Sequence, residues 1–176
     1  FSMTPDQVAV LDLAGNVVDA PCKPSTEHEL HRQLYVNRPD MGAVVHAHTN
    51  YATALSCLRK PLPPIHYLIA LAGKEVPCAQ YATFGTVQLA ENVVRAMVGT
   101  RAVLMANHGM IAGAETLSAA FKIVEEIEYC ADLAEVQVLV FGPEFIGRIE
   151  SVAEKLSKGR LLIYVGDNCP TFAESY

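Results

Sequence analysis

The stretch GAVVHAHTNY (residues 42–51) ends an apolar run with two histidines one residue apart. A β-strand projects alternate side chains onto the same face, so this spacing places His46 and His48 together and Ala47 on the opposite face. The two β-branched valines before them favour a buried strand over a helix. Two neutral imidazoles side by side are suited to share a divalent metal ion.

The segments around this strand alternate between helix and strand patterns. KPSTEHELHRQLYVNRPD (23–40) predicts a helix capped by Ser25 or Thr26, and RAVLMANHGMIAGA (101–114) predicts two apolar strands. The longest predicted helix runs from about residue 117 to 140, with an apolar stripe of Leu117, Phe121, Val124, Ile127, Ala131, Ala134 and Val138. This alternation predicts an α/β protein with a mixed or antiparallel sheet. The pattern after Phe141 predicts no definite element.

Composition excludes several classes of function. The chain has 176 residues, of which 51% are hydrophobic, enough for one well-buried domain. Thirteen basic against nineteen acidic residues give a net charge of −6, which argues against a nucleic-acid partner. The longest apolar runs are too short to span a membrane. Five scattered cysteines without a C-x-x-C pair predict reduced thiols and a cytoplasmic protein.

Further polar residues extend the metal hypothesis. A catalytic zinc site uses three protein ligands, and His108, in the Asn-His-Gly break, is the best third candidate. Glu27 shares a helix face with His31 and is either an acid that complements the helix dipole or a general base beside the metal. Ser25 and Thr26 either cap the helix or hold a phosphate with its free amides. From spacing alone, the His46–His48 pair fits a metal site and ordinary hydrogen-bonded residues equally well, whereas a single histidine such as His108 is more often an ordinary hydrogen-bonded residue.

Five segments follow one another along most of the chain: KPSTEHELH (23–31), VVHAHTNYATALS (44–56), LPPIHYLIALAG (62–73), VPCAQYATFGT (76–86) and NHGMIAG (107–113). In order and spacing they resemble the motifs of the class II aldolase family, which includes the adducin head domain. The similarity extends from about Val8 to Phe141 and is greatest to the fuculose-phosphate aldolase branch. It implies a single three-layer domain over residues 1–176, with helices flanking a central mixed or antiparallel sheet.

The resemblance also implies roles for individual residues. It makes His46, His48 and His108 the ligands of one zinc ion per subunit, although another divalent metal is an alternative. Glu27 corresponds to the family's acid/base, which is aspartate in the epimerase branch, so glutamate favours an aldolase. Tyr67 corresponds to the proton donor to the aldehyde-derived oxygen. The two hydroxyl residues before the glutamate, Ser25 and Thr26, correspond to phosphate-binding residues.

The implied function is reversible cleavage of a ketose 1-phosphate, such as fuculose 1-phosphate, to dihydroxyacetone phosphate and a short aldehyde through a metal-stabilised enediolate. The alternatives are a related epimerase, dehydratase or decarboxylase, or an adducin-like interaction module without activity. The family resemblance implies a homotetramer with active sites near subunit boundaries. Relative to the family pattern, the chain is expected to lack an N-terminal segment that completes the phosphate pocket, and residues 142–176 form a tail without a clear match.

Overall fold

The computed structural model describes residues 4–134, 138–141, 143, 146–147, 150, 161–164, 166–171 and 173–175. Its strands are β1 (Val10–Leu11), β2 (Val17–Asp19), β3 (Ala43–Ala47), β4 (Cys78–Ala79), β5 (Ala102–Met105), β6 (Gly109–Ala114), β7 (Val138–Phe141), β8 (Leu161–Tyr164) and β9 (Glu174–Ser175). Its α-helices are α1 (His28–Asn37), α2 (Asn50–Cys57), α3 (Val87–Ala96) and α4 (Leu117–Leu133). Two short 3₁₀ helices cover Pro5–Gln7 and Tyr67–Leu71.

Four strands form the central sheet in the order β3-β6-β5-β4. β6 runs antiparallel to both of its neighbours, whereas β4 and β5 are parallel, so the sheet is mixed as predicted. The register pairs His46 with Ile111 on β6, and Met105 at the end of β5 with Gly109 at the start of β6. The β5–β6 turn therefore lies at the same sheet edge as the end of β3.

Alternating side chains of the sheet build two separate cores, one on each face. On one face, Leu104 and Met110 pack in a cluster with residues of α2 and α4. On the other face, Val103 and Ile111 pack in a cluster with residues of α1 and α3. All four of these sheet side chains are fully buried. Helices thus cover both faces of the sheet, and the predicted three-layer architecture is confirmed.

Two of the helices begin at threonine caps. The Thr86 hydroxyl accepts a hydrogen bond from the Leu89 amide at the start of α3, and Thr116 does the same for Ala119 at the start of α4. Such caps satisfy amides that have no partner within the helix. Gly99 follows α3 with a φ of +74°, the left-handed conformation that commonly ends a helix.

The long helix differs from its prediction in length and in orientation. α4 ends at Leu133, and residues 138–140, predicted to be helical, belong to β7 instead. β7 is rich in β-branched residues and pairs with β8, so strand pairing overrides the helical pattern. Leu117 and Phe121 of the predicted stripe are 65% and 53% exposed, whereas its members Val124, Ile127 and Ala131 are buried, together with Ala120, Ile123 and Cys130.

The chain's C-terminal part contributes a parallel three-stranded sheet in the order β7-β8-β9. About half of the predicted tail, residues 142–176, lies outside the described residues, and its described part includes β8 and β9. Among the helices that the structure describes, none has the length and apolar character needed to cross a membrane.

Candidate metal centre

The end of β3 carries the histidine pair that the sequence singles out. The ring centroids of His46 and His48 lie 4.7 Å apart, as expected for residues on the same face of a strand. The His46 ring is further fixed by Nδ1, which lies 2.9 Å from the carbonyl oxygen of Met110 on β6. A carbonyl oxygen can only accept a hydrogen bond, so Nδ1 carries the proton and Nε2 presents its lone pair.

His108 lies in the tight turn between β5 and β6. Its ring centroid is 5.1 Å from that of His46 and 4.8 Å from that of His48. The preceding Asn107 adopts a φ of +56°, a conformation that asparagine tolerates better than most residues. At Gly109, a Cβ would lie 2.6 Å from the Ala47 carbonyl oxygen and 2.8 Å from the His48 ring. The turn can therefore approach the histidine strand only because this residue is glycine.

Glu27 stands at the N-terminal boundary of α1 and points into the three histidines. Its Oε2 lies 3.2 Å from His46 Nε2, and its Oε1 lies 3.1 Å from His108 Nε2. The side chains of Glu27, His46 and His108 are only 16%, 11% and 10% exposed, whereas His48 is exposed. The cluster is thus enclosed on three sides and open beside His48.

The donor set fits a divalent metal ion. One ligand atom from each of Glu27, His46, His48 and His108 lies within 4.8 Å of the others. Oε1 of Glu27 is buried and accepts no hydrogen bond from any described residue, so its approach to His108 is not a hydrogen bond. The His46 lone pair and Oε2 also face each other as two acceptors. A cation among them satisfies all of these atoms, and imidazole with carboxylate is a ligand set typical of zinc.

The electrostatics of the cluster favour neutral imidazoles. Burial is the main cause that lowers the pKa of His108, with contributions from His46 and His48, while Glu27 opposes the shift. Desolvation, followed by the charge of His46, lowers the pKa of His48. His31 is not a member of the four-residue cluster, but burial and His46 lower its pKa as well. A neutral imidazole has the free lone pair that metal ligation requires.

Ser25 and Thr26 lie beside the cluster but do not cap α1 through their side chains as the capping alternative expects. α1 begins at His28 with Glu27 as its N-cap residue, and the Ser25 hydroxyl accepts a hydrogen bond from the Glu27 amide at 3.2 Å. Ser25 and Thr26 line a cavity of about 450 Å³ together with Lys23 and other residues. The hydroxyls and a lysine are thus placed at one cavity next to the candidate acid/base.

Tyr67 is the one predicted site residue that stands apart from the cluster. It begins the 3₁₀ helix Tyr67–Leu71 and is 78% exposed, with its ring centroid 4.5 Å from that of His66. Within the described part of the chain, the structure gives it no hydrogen bond or ring contact with the four clustered side chains. The structure therefore brings Glu27 together with the three histidines, but not Tyr67.

Two contacts of the site could not be predicted from the sequence. The Met110 carbonyl orients His46, and the Ser56 hydroxyl accepts a hydrogen bond from the His108 amide at 3.3 Å. A main-chain carbonyl carries no side-chain signal, and Ser56 lies in an apolar helix pattern 52 residues away from His108. Only the folded arrangement reveals either contact.

Comparison with known proteins places these features in context. The family model described as the class II aldolase and adducin N-terminal domain matches residues 1–134. A 5-deoxy-D-ribulose 1-phosphate aldolase from Bacillus thuringiensis is 41% identical over 157 residues, covering 88% of this chain and 74% of the relative. An L-fuculose phosphate aldolase from Escherichia coli K12 is 40% identical over 136 residues, covering 77% of this chain and 63% of the relative.

Solved structures agree with the fold. A structure of L-fuculose 1-phosphate aldolase superposes with a TM-score of 0.73 at 53% identity, covering 74% of this chain and 62% of the other. The matched part of the chain thus spans somewhat less than two thirds of several relatives and about three quarters of the Bacillus enzyme.

Proposed function

Because the chain belongs to the class II aldolase and adducin N-terminal domain family, we propose that it is a zinc-dependent aldolase that reversibly cleaves a ketose 1-phosphate. The products are dihydroxyacetone phosphate and a short aldehyde. One observation carries this proposal: a buried carboxylate oxygen of Glu27, without a hydrogen-bond donor among the described residues, lies within a cage of three imidazoles. An interaction module has no need to bury such a group.

His46, His48 and His108 would hold the metal, and Glu27 adjoins it. A bound zinc ion supplies Lewis-acid polarisation of the substrate carbonyl and adjacent hydroxyl. His48 is exposed, so the cluster is open to solvent on that side and a substrate can enter there. Catalytic zinc sites keep one ligand position open in this way. Met110 fixes the His46 tautomer, so that ligand keeps its Nε2 lone pair directed into the cage.

In the cleavage direction, the C3–C4 bond of the ketose breaks and its electron pair remains with the ketone fragment. The hydroxyl at C4 passes its proton to the Tyr67 hydroxyl, which releases its own proton to solvent, and the C4 oxygen becomes the aldehyde carbonyl. Glu27 delivers a proton to C3, which completes dihydroxyacetone phosphate. In the condensation direction Glu27 removes the same proton.

The substrate phosphate is assigned to the cavity beside Glu27. Ser25, Thr26 and Lys23 are among the residues that line it. Two hydroxyl residues and one basic residue at the same cavity suit a phosphate monoester. The relatives' names support a deoxysugar 1-phosphate as the substrate, such as 5-deoxyribulose 1-phosphate or fuculose 1-phosphate, or the related 5-methylthioribulose 1-phosphate.

We also propose a homotetramer. Leu117, Phe121, Tyr129 and Leu133 are exposed at 44–65% along α4, and Tyr67 is exposed near the same helix. Exposed apolar side chains in one stripe are typical of a subunit interface. Such an interface would allow Tyr67 to reach the metal centre of a neighbouring copy, which reconciles its proposed role with its distance from Glu27 in one subunit. Light scattering tests the assembly, and a monomer at micromolar concentration would contradict it.

The proposed location is the cytoplasm. The five cysteines are free, and burial raises the pKa of Cys57 and raises that of Cys78 to about 11, which favours their protonated, unreactive form. Reduced thiols of this kind are typical of a reducing compartment.

The experiment is an assay of the purified chain for dihydroxyacetone phosphate release. The substrates are 5-deoxyribulose 1-phosphate, fuculose 1-phosphate and ribulose 5-phosphate. An aldolase releases the triose from one or both of the first two. Conversion of ribulose 5-phosphate to its epimer without triose release would identify an epimerase, and metal-free protein without turnover would identify an interaction module.

A further inference from the structure

A single short helix joins the two parts of the metal centre. α2 begins at Asn50, two residues after His48, and its other end packs beside the turn that holds His108. Its N-terminus is fixed by Glu128 on α4, whose carboxylate accepts hydrogen bonds from the amides of Tyr51 and Ala52, both at 2.9 Å. A carboxylate at this position also complements the helix dipole. The helix is therefore held at the end adjoining His48 by a contact independent of the metal centre.

At the other end of α2, Ser56 holds two successive amides of the His108 turn. Its carbonyl accepts a hydrogen bond from the Asn107 amide at 3.1 Å. Its hydroxyl donates to the Thr53 carbonyl at 2.7 Å and accepts from the His108 amide at 3.3 Å. Ser56 is one of only two buried polar residues among those described, and it is 0% exposed. A buried hydroxyl in an apolar helix face is unusual unless its hydrogen bonds have a use.

The turn needs this support because its backbone is not in a relaxed conformation. Asn107 and Arg59 have φ values of +56° and +53°, in the left-handed region that disfavours residues with a Cβ. Arg59 Nε donates to the Asn107 side-chain oxygen at 2.8 Å, and the Arg59 amide donates to the Ser56 carbonyl at 3.0 Å. The three residues form one hydrogen-bonded unit that ends at the His108 amide.

We propose that Ser56 is a positioning residue for the metal ligand His108. The inference rests on the proposed metal centre, and it assigns to α2 the task of holding His108 at a set distance from His48. Ser56 acts through the main chain of the turn, since its hydroxyl accepts a hydrogen bond from the His108 amide and its carbonyl accepts one from the Asn107 amide. The proposed ligands alone do not imply this role, because a histidine in a tight turn could be held by the turn itself.

The Ser56→Ala variant is expected to fold. The His108 amide retains its hydrogen bond to the Met105 carbonyl at 3.0 Å, and the Ser56 carbonyl remains in place. The variant loses the hydrogen bond between the Ser56 hydroxyl on α2 and the His108 amide. The orientation of His108 then becomes less defined, while the turn persists. Loss of a contact that orients a ligand typically weakens metal binding 10- to 100-fold, and we expect about tenfold here because the contact is to the main chain.

The test is a titration of the metal-free chain with Co²⁺, whose visible absorption bands report the ligand geometry directly and without substrate. We expect Ser56→Ala to bind Co²⁺ about tenfold more weakly and with altered bands. The matched control is Ile123→Val, a conservative change in the core around α2 and α4 that does not touch the turn. Thermal unfolding of both metal-free variants compares their loss of stability.

Each outcome decides the inference. Equal affinity and identical bands in Ser56→Ala and the unaltered chain would overturn it while leaving the metal centre intact. An equal loss of affinity in Ile123→Val at a similar loss of stability would also overturn it, because the effect would then be general. If Ser56→Ala does not fold, Ser56→Cys, of similar size and weaker hydrogen bonding, is judged by the same criteria. No Co²⁺ binding by the unaltered chain would refute the metal centre and this inference together.

Discussion

Oε2 of Glu27 lies 3.2 Å from Nε2 of His46, although nineteen residues separate the two in the sequence. This contact brings the start of α1 to the end of β3, where a carboxylate meets the imidazole cage. With the His46 proton on Nδ1, which faces the Met110 carbonyl, Nε2 has no proton to donate to the Glu27 carboxylate. In the proposed function, the pair combines a metal ligand, His46, with a base, Glu27, that exchanges a proton with a substrate held beside it.

Glu27→Gln should retain the metal and lose carbon-proton exchange. The amide preserves the shape of the side chain but cannot take up the proton, a role typically worth about 10²–10⁴-fold. The measurement is deuterium incorporation into dihydroxyacetone phosphate in heavy water. Glu29→Gln, two residues further along, is the control, because Glu29 pairs with Arg32 and Gln33 instead of the cage. Undiminished exchange in Glu27→Gln would return this residue to a dipole-complementing role.

His108→Ala should abolish stoichiometric zinc binding and activity together. Two imidazoles and one carboxylate remain, but the turn no longer contributes a ligand to the cage. Metal analysis after dialysis is the measurement. His66→Ala is the control, because His66 lies outside the cluster and its side chain accepts a hydrogen bond from the Leu68 amide. Full zinc occupancy in His108→Ala would exclude His108 as a ligand.

Tyr67→Phe should separate the two proton transfers. The hydroxyl is proposed to act only at the aldehyde oxygen, so deuterium exchange into dihydroxyacetone phosphate should survive while cleavage of the ketose falls. Tyr129→Phe serves for comparison, because Tyr129 belongs to the same exposed aromatic group around His66. An equal fall of exchange and cleavage, with zinc retained, would make Tyr67 a structural residue.

Gly109→Ala should disrupt the centre without removing any ligand. The added methyl would lie 2.6 Å from the Ala47 carbonyl oxygen and 2.8 Å from the His48 ring, so the turn or the strand must move. We expect a loss of about 1–3 kcal/mol in the free energy of unfolding, as for other overpacked sites, together with weaker zinc binding. Gly147→Ala, where nothing lies within 4 Å of the new methyl, should be neutral. Unchanged zinc affinity in Gly109→Ala would contradict the close approach of turn and strand.

Acid should destabilise the metal-free chain through His31, His48 and His108, whose pKa values are lowered in the folded state. Burial is the largest cause that lowers the pKa of His31, His48 and His108. Below the unfolded value of about 6.5, the unfolded chain therefore binds more protons at these sites, and stability falls as the pH falls. The denaturant midpoint should be lower at pH 5.5 than at pH 7.5, and this difference should be smaller in a His48→Asn, His108→Asn double variant. An equal difference in both proteins would show that these two histidines do not cause the destabilisation by acid.

Local patterns predicted much of the fold and part of the site. The period of two in β3 places His46 beside His48, and the Asn-His-Gly break predicts the turn that carries His108. These features depend on neighbours in sequence, so they are visible without the fold. The end of α4 and the strand that follows it depend on pairing with β8, and the predicted helix to residue 140 is wrong for that reason.

Other features depend on distant packing and have no signal in the sequence. The contact of Ser56 with His108 spans 52 residues. The capping role expected of Ser25 or Thr26 fails because Glu27 takes the boundary position of α1. Leu117 and Phe121 are exposed although Val124, Ile127 and Ala131 of the same predicted stripe are buried in the core. The proposed roles of Tyr67, Ser25 and Thr26 remain predictions.

The central claim is metal-dependent cleavage of a ketose 1-phosphate at the Glu27 and histidine cage. The most direct measurement is dihydroxyacetone phosphate release from 5-deoxyribulose 1-phosphate and fuculose 1-phosphate by the same preparation before chelation, after chelation and after zinc is restored. We expect release that chelation abolishes and that zinc at one equivalent per subunit restores. Triose release that persists after complete removal of the metal, or its absence from both sugars with zinc bound, would contradict the account.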